Sequence, residues 1–180
     1  RKLNEKSNLS NNAVAEGIIN NIRKTIIREQ LTDPRFYSEM SQLLDDLITQ
    51  KRTSAEEYEA FLKKAEELVQ KLDKGHNTDQ VPIALKGKAA AIVIYNNLSD
   101  ILAKTSAAGA NEPAADYGSD SLVNLALKID TTMREQAHGD WRGHETRERQ
   151  IQNVLFDIMK RNKAATQAIF NLLKNMKGYA

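Results

Sequence analysis

"KGKAAAIVIYNNLSDIL", residues 86–102, has two readings, and the choice between them decides the fold. The β-branched run Ile92, Val93, Ile94, followed by Tyr95, has the composition of a buried strand. The same residues are apolar on nearly every side of a helix, as a helix in the middle of a core must be. No second strand-like run occurs in the chain, so a strand here would leave its backbone donors and acceptors without a ladder. The stretch therefore reads as a central, well-buried helix.

The rest of the chain agrees, because its apolar spacing is helical almost throughout. Val14, Ile18, Ile22 and Ile26 step by four, broadened by Ile19 and Ile27. Asp33 then offers an N-cap and Pro34 suits a first helical position, ahead of a face made by Phe36, Met40, Leu43, Leu44, Leu47 and Ile48. Ser54 and Glu57 have capping-box spacing and open a third stripe of Tyr58, Phe61, Leu62, Ala65, Leu68, Val69 and Leu72. Short turns between these three predict an antiparallel bundle or arm over residues 12–73. "DKGHNTDQVP", residues 73–82, breaks the pattern at Gly75, Asn77 and Pro82. Beyond the central helix, 83–104, a small, polar Ala/Gly/Pro-rich segment at 105–118 reads as a mobile loop. Leu122, Leu125, Ala126, Ile129 and Met133 mark a helix ending near His138. Ile151, Val154, Leu155 and Ile158 mark the next, and Ile169, Leu172, Leu173 and Met176 a last short one. The expectation is an all-α domain over residues 1–180 with about seven helices, its N-terminal bundle packed with a C-terminal cluster at 119–177.

Composition narrows the function classes. With 180 residues, 41% hydrophobic and 28% charged, the chain has the make-up of a folded domain and not of a disordered one. It has no cysteine, which excludes disulfides, thiolate metal sites and thiol nucleophiles. No apolar run approaches the roughly 20 residues of a membrane span, and the opening "RKLNEKSNLSNN" has no signal-type apolar region. A first residue of Arg suggests a piece of a longer polypeptide or a processed chain. The net charge of +2 is unevenly spread: from Arg134 onward nine bases face five acids, while between Asp33 and Asp79 seven bases face eleven acids. The C-terminal third can thus face an anion.

Signatures of catalysis are missing. "LKGKAA" has a Gly87–Lys88 pair but neither the upstream glycine nor the following hydroxyl of a phosphate loop, and no G-x-G-x-x-G or G-x-S-x-G occurs. The densest chemistry lies in "AHGDWRGHE", residues 137–145, which holds the only tryptophan. His138, Asp140, His144 and Glu145 are competent metal ligands, but their spacing matches no known metal motif, and neither a metal nor a cofactor is expected. Trp141 beside Arg142 has two readings. The indole folds back as an anchor on flanking apolar stripes, with Gly139 and Gly143 supplying unusual backbone angles. Alternatively Trp141, Arg142, Arg134 and His138 face outward as a partner-binding surface, Trp and Arg being the types enriched at such surfaces. For a phosphate backbone, the candidate contacts are Arg142, Arg147, Arg149, Lys160, Arg161 and Lys163.

"SLVNLALKIDTTMREQAHGDWRGHE", residues 121–145, followed by a helix and then the Ile169–Lys174 "IF.L.K" pattern, resembles the extreme C-terminal helical region of the R (motor) subunit of type I restriction enzymes. "NAVAEGIINNIRKTIIREQLTDPRFYSEMSQLLDDLI", residues 12–48, resembles the preceding part of that region in the type IC group. The resemblance implies a non-catalytic assembly domain of an ATP-dependent DNA translocase and endonuclease. The nuclease and ATPase motifs of such subunits lie outside this region. Its implied partners are the modification and specificity subunits of the methyltransferase core and the rest of the R subunit, with double-stranded DNA as a further contact, no membrane, and a bacterial cytoplasmic setting. A sequence-independent DNA-binding helical module is the alternative.

Overall fold

The computed structural model describes residues 2–75, 81–108 and 119–179. Among them it has seven α-helices, one 3-10 turn and no strand, so the all-α class expected from the sequence is what the chain adopts. The helices are α1 (Lys2–Glu29), α2 (Pro34–Ile48), α3 (Ala55–Lys74), α4 (Ala89–Ala108), α5 (Ser119–Gln136), α6 (Glu145–Ile158) and α7 (Lys163–Asn175), with the 3-10 turn at Ile83–Leu85. They fall into two compact units, one built from α1–α3 and one from the connector Leu31–Asp33, the 3-10 turn and α4–α7.

In the first unit each helix packs on the other two. Its core is Ala15, Ile19, Ile22 and Ile26 of α1, Met40, Leu44 and Leu47 of α2, and Phe61, Ala65 and Leu68 of α3. This differs from the expected α1 stripe: Val14 and Ile27 lie at the surface, 51% and 58% exposed, while Ala15 is completely buried. A run of seven apolar residues covers more than half of a helix circumference, and the small Ala15 carries the close approach that decides which side faces in. α1 also begins earlier than its apolar pattern, at Lys2. Pro34 opens α2 as expected. At α3 the capping box forms in full: the Glu57 N–H donates to Ser54 Oγ (3.2 Å) and the Ser54 N–H to Glu57 Oε2 (3.2 Å). Thr53 adds its N–H (2.9 Å) and hydroxyl (2.6 Å) to the same carboxylate. Together these bonds hold the Glu57 carboxyl below the usual range, the Thr53 hydroxyl contributing most.

The second unit is centred on α4. Ala90, Ala91, Ile92, Ile94 and Leu98 are buried around more than one side of the helix, as residues 86–102 require, and the strand reading fails. α4 packs on α5 and α7, α5 on α6, and α6 on α7. Asn97, also buried, donates to Asp33 Oδ1 at 2.7 Å and to the Val93 carbonyl at 2.9 Å, so the one buried amide of α4 is satisfied. The 105–118 loop lies largely outside the described residues, but α4 remains helical through Ala108. The segment joining α3 to the 3-10 turn is likewise described only at its ends, where Gly75 stops α3 with a φ of 68°.

Candidate functional site

The connector between α5 and α6 is tied to the second unit by a dense set of hydrogen bonds. α5 ends at Gln136, and the chain turns sharply: the Trp141 N–H donates to the Gly139 carbonyl (2.7 Å) and the His144 N–H to the Trp141 carbonyl (3.3 Å). Gly139 and Gly143 take φ values of 59° and 80°, in the left-handed region where a side chain is strained. Both glycines thus reverse the chain around Trp141 and drive its indole inward.

Trp141 is completely buried. Its ring meets Phe170 of α7 edge-on, with centroids 6.1 Å apart, in a core that includes Ile94, Leu98, Met133, Ile151, Leu155 and Leu173. Its Nε1–H donates to the Tyr179 carbonyl at 3.3 Å. A buried indole needs such an acceptor, and here it is supplied by backbone that follows α7. The indole has no surface to offer a partner, so the arrangement is that of the anchor, and the expectation of Trp141 as an outward partner contact does not fit its burial.

Arg142 completes the arrangement. Its guanidinium lies over the Trp141 ring, 4.7 Å from the centroid. Nε donates to the Lys174 carbonyl (2.8 Å), Nη2 to the Met176 carbonyl (2.6 Å) and Nη1 to the Tyr179 carbonyl. The last carbonyls of a helix lack intrahelical donors and form the negative end of its dipole, so a planar cation with several N–H groups fits this place. The same fork is therefore occupied with carbonyl oxygens of its own chain and is not displayed to phosphate, contrary to the sequence expectation for Arg142.

The neighbours of this clamp are engaged too. The Tyr179 hydroxyl donates to Asp130 Oδ1 at 2.6 Å, and Arg134 Nε donates to Asp130 Oδ2 at 3.1 Å. Tyr179 and Asp130 are both buried; burial first, and the adjacent carboxylate second, push the Tyr179 hydroxyl well above its ordinary range. Arg134 in turn is held further on its charged side by the bond to Asp130. Glu148 accepts from Lys174 Nζ (2.7 Å) and from the Gly143 N–H (2.6 Å), which hold its carboxyl below the ordinary value, Lys174 contributing most. Gly178 packs so closely that an added Cβ would come within 3.3 Å of Ala90 Cβ.

Of the other residues singled out in the sequence, Arg147 donates to the His138 carbonyl (3.1 Å) and Arg149 pairs with Glu145 (2.6 Å). His138 is exposed, as are Lys160, Arg161 and Lys163 at the turn between α6 and α7. Among the described residues no group of three His, Asp or Glu side chains converges to hold a metal, so His138, Asp140, His144 and Glu145 do not form a centre. In the first unit, a cleft of about 240 Å³ between α2 and α3, walled by Leu43, Leu47, Leu68, Lys64, Glu67 and Lys71, falls short of the size of ordinary ligand sites. The sequence reading missed Asp130, Tyr179, Glu148 and Lys174. Only Asp130 left a signal, as a carboxylate set among Ile129, Ala126 and Met133 on an apolar stripe.

No family model matches the chain, and no curated protein and no solved structure matches it at a significant level.

Proposed function

We propose that the chain is a non-catalytic helical assembly module of a type I restriction enzyme motor subunit, docking that ATP-dependent DNA translocase and endonuclease on its methyltransferase core. The reading is supported by the resemblance of residues 121–145 and 12–48. The observation that carries it is that the "DWRG" segment, the most specific part of that resemblance, is also the segment that closes the second unit. A marker that fixes a fold is what a shared helical module needs. In this reading the modification and specificity subunits meet the exposed rim of the clamp, where His138 lies at the surface and Arg134 is 57% exposed, and not the buried indole.

The test is sedimentation of the chain with a type I methyltransferase core, with and without duplex DNA. Co-sedimentation that survives moderate salt supports assembly; failure to bind the core under all conditions rejects it. A second reading, a DNA-binding module acting through the basic C-terminal third, is favoured by one observation: after Asp157 the sequence has five bases and no acid. This reading requires binding that weakens steeply as salt rises.

A further inference from the structure

We propose that the outward face of α7, with the turn before it, is a surface for duplex DNA, the face turned to the major groove and the bases at its two ends on backbone phosphates. The proposal rests on the second reading above and gives it a location different from the arginines of α6.

α7 buries Ala165, Thr166, Ile169, Phe170, Leu172 and Leu173. Its opposite face carries Lys163, Ala164, Gln167, Asn171, Lys174 and Asn175, all exposed. That face has no acid of its own, no aromatic and no large aliphatic residue, and its Lys174 is paired with Glu148 of α6 at 2.7 Å, an ion pair that phosphate would have to replace. Protein-docking surfaces draw their affinity from buried aromatic and apolar anchors, which this face does not have. Its amides are the side chains that pair with base edges, and its small Ala164 leaves room for close approach. Gln167 Nε2 donates to Asn171 Oδ1 (2.9 Å), so the two amides lie side by side on this face.

The charges lie at the ends. Lys163 and Lys174 are eleven positions apart, about 16 Å along a helix at 1.5 Å per residue. The ~12 Å width of the major groove admits a helix lengthwise, which leaves bases at the helix ends as the groups that reach backbone phosphates. Lys160 and Arg161 extend the N-terminal end and Lys177 the C-terminal end. Lys160 and Arg161 both have positive φ, 51° and 65°. The bonds Lys160 N–H to Asp157 carbonyl (3.2 Å) and Arg161 N–H to Phe156 carbonyl (2.8 Å) form a Schellman closure of α6. Glycine would be the low-strain residue there, yet the position holds a base.

The experiment is fluorescence anisotropy of the whole chain with a labelled duplex of about 20 base pairs across a salt series. Five phosphate contacts predict a slope of log K against log salt near −4 to −5, and Lys160→Ala/Arg161→Ala/Lys163→Ala should make it shallower by about 3. The near-isosteric pair Gln167→Glu/Asn171→Asp should weaken binding by at least about 10-fold with an unchanged helical circular dichroism spectrum, by placing two carboxylates in the groove. Arg149→Gln should leave affinity within about twofold, since Arg149 is on α6 and pairs with Glu145. Binding that resists both α7 variants but falls with Arg149→Gln overturns the proposal and leaves DNA binding by α6 standing. No binding at low salt overturns both. Displacement by polyglutamate as effective, charge for charge, as by unlabelled duplex also overturns it, since the face would then be a general anion surface suited to an acidic protein.

Discussion

The guanidinium of Arg142 covers the indole of Trp141 at 4.7 Å while both side chains donate to the same carbonyl, that of Tyr179. Two adjacent residues thus hold one backbone oxygen from different sides, one by a buried N–H and one by a charged fork.

Trp141→Ala should lower the stability of the second unit by about 3–5 kcal/mol, the range for emptying a large aromatic site in a packed core. Trp141→Phe should cost less but leave the Tyr179 carbonyl without its indole donor. Urea unfolding followed by circular dichroism reads both, and equal stability of Trp141→Ala and wild type would refute the anchor.

Arg142→Lys keeps the charge and loses the geometry. A lysine ammonium cannot reach the Lys174, Met176 and Tyr179 carbonyls together, so the expected loss is about 1–3 kcal/mol in spite of the conserved charge. A thermal midpoint within experimental error of wild type would show that the dipole alone, and not the fork, is what matters.

Tyr179→Phe removes the donor to Asp130 Oδ1 and leaves a buried carboxylate short of one bond, at a cost of about 1–3 kcal/mol. Adding Asp130→Asn should recover part of that loss, because the charge needing solvation is gone. A double-mutant cycle measures the coupling; strict additivity of the two changes would mean the pair is not coupled.

Acid should weaken the second unit through Glu148. Its folded-state pKa lies below its unfolded one, so between those values the unfolded chain binds the extra proton and stability rises with pH. The contribution is complete above the ordinary glutamate range and is lost as pH falls through the depressed value. Glu148→Gln should therefore flatten the acid limb of a stability-versus-pH curve. The effect is a modest one, given that Lys174 is 42% exposed to screening solvent.

Lys160→Gly should raise stability by about 0.5–1 kcal/mol, as it relieves a left-handed backbone that glycine adopts freely. If the α7 face binds DNA as proposed, the same change should make the salt slope shallower by about 1. Stability and DNA affinity would then move in opposite directions at one residue, a combination that a purely structural turn does not give.

Much of the fold was legible because periodicity reports burial residue by residue. The capping box at Ser54 and Glu57 and the start of α2 at Pro34 are local, and local rules found them. The α1 stripe was misjudged at its two ends, Val14 and Ile27, since Ala15 is too small to register in an apolar pattern that Val14 dominates. The central helix was resolved only by the lack of a strand partner, which is a property of the whole chain. The clamp was half legible: a Trp and an Arg between two glycines marked the place, but the partners on the far side are backbone carbonyls. A carbonyl is present at every residue, so the sequence has no letter that says which ones are used. Asp130 and Tyr179 are 49 positions apart, and no spacing rule joins them.

The clamp also bears on the order of events in folding. Its bonds join residues 32 to 38 positions apart, and the Asp130–Tyr179 bond spans 49, whereas the turns between α5, α6 and α7 are short. Closing such long loops is entropically worthwhile only once the intervening helices are in place. The clamp is therefore expected to be unformed at the barrier: substitutions at Trp141, Arg142 and Tyr179 should quicken unfolding and leave the folding rate nearly unchanged. Residues of that kind set how long the module survives under load, whatever its equilibrium stability, which would matter most if, as proposed, it belongs to a subunit that pulls on DNA.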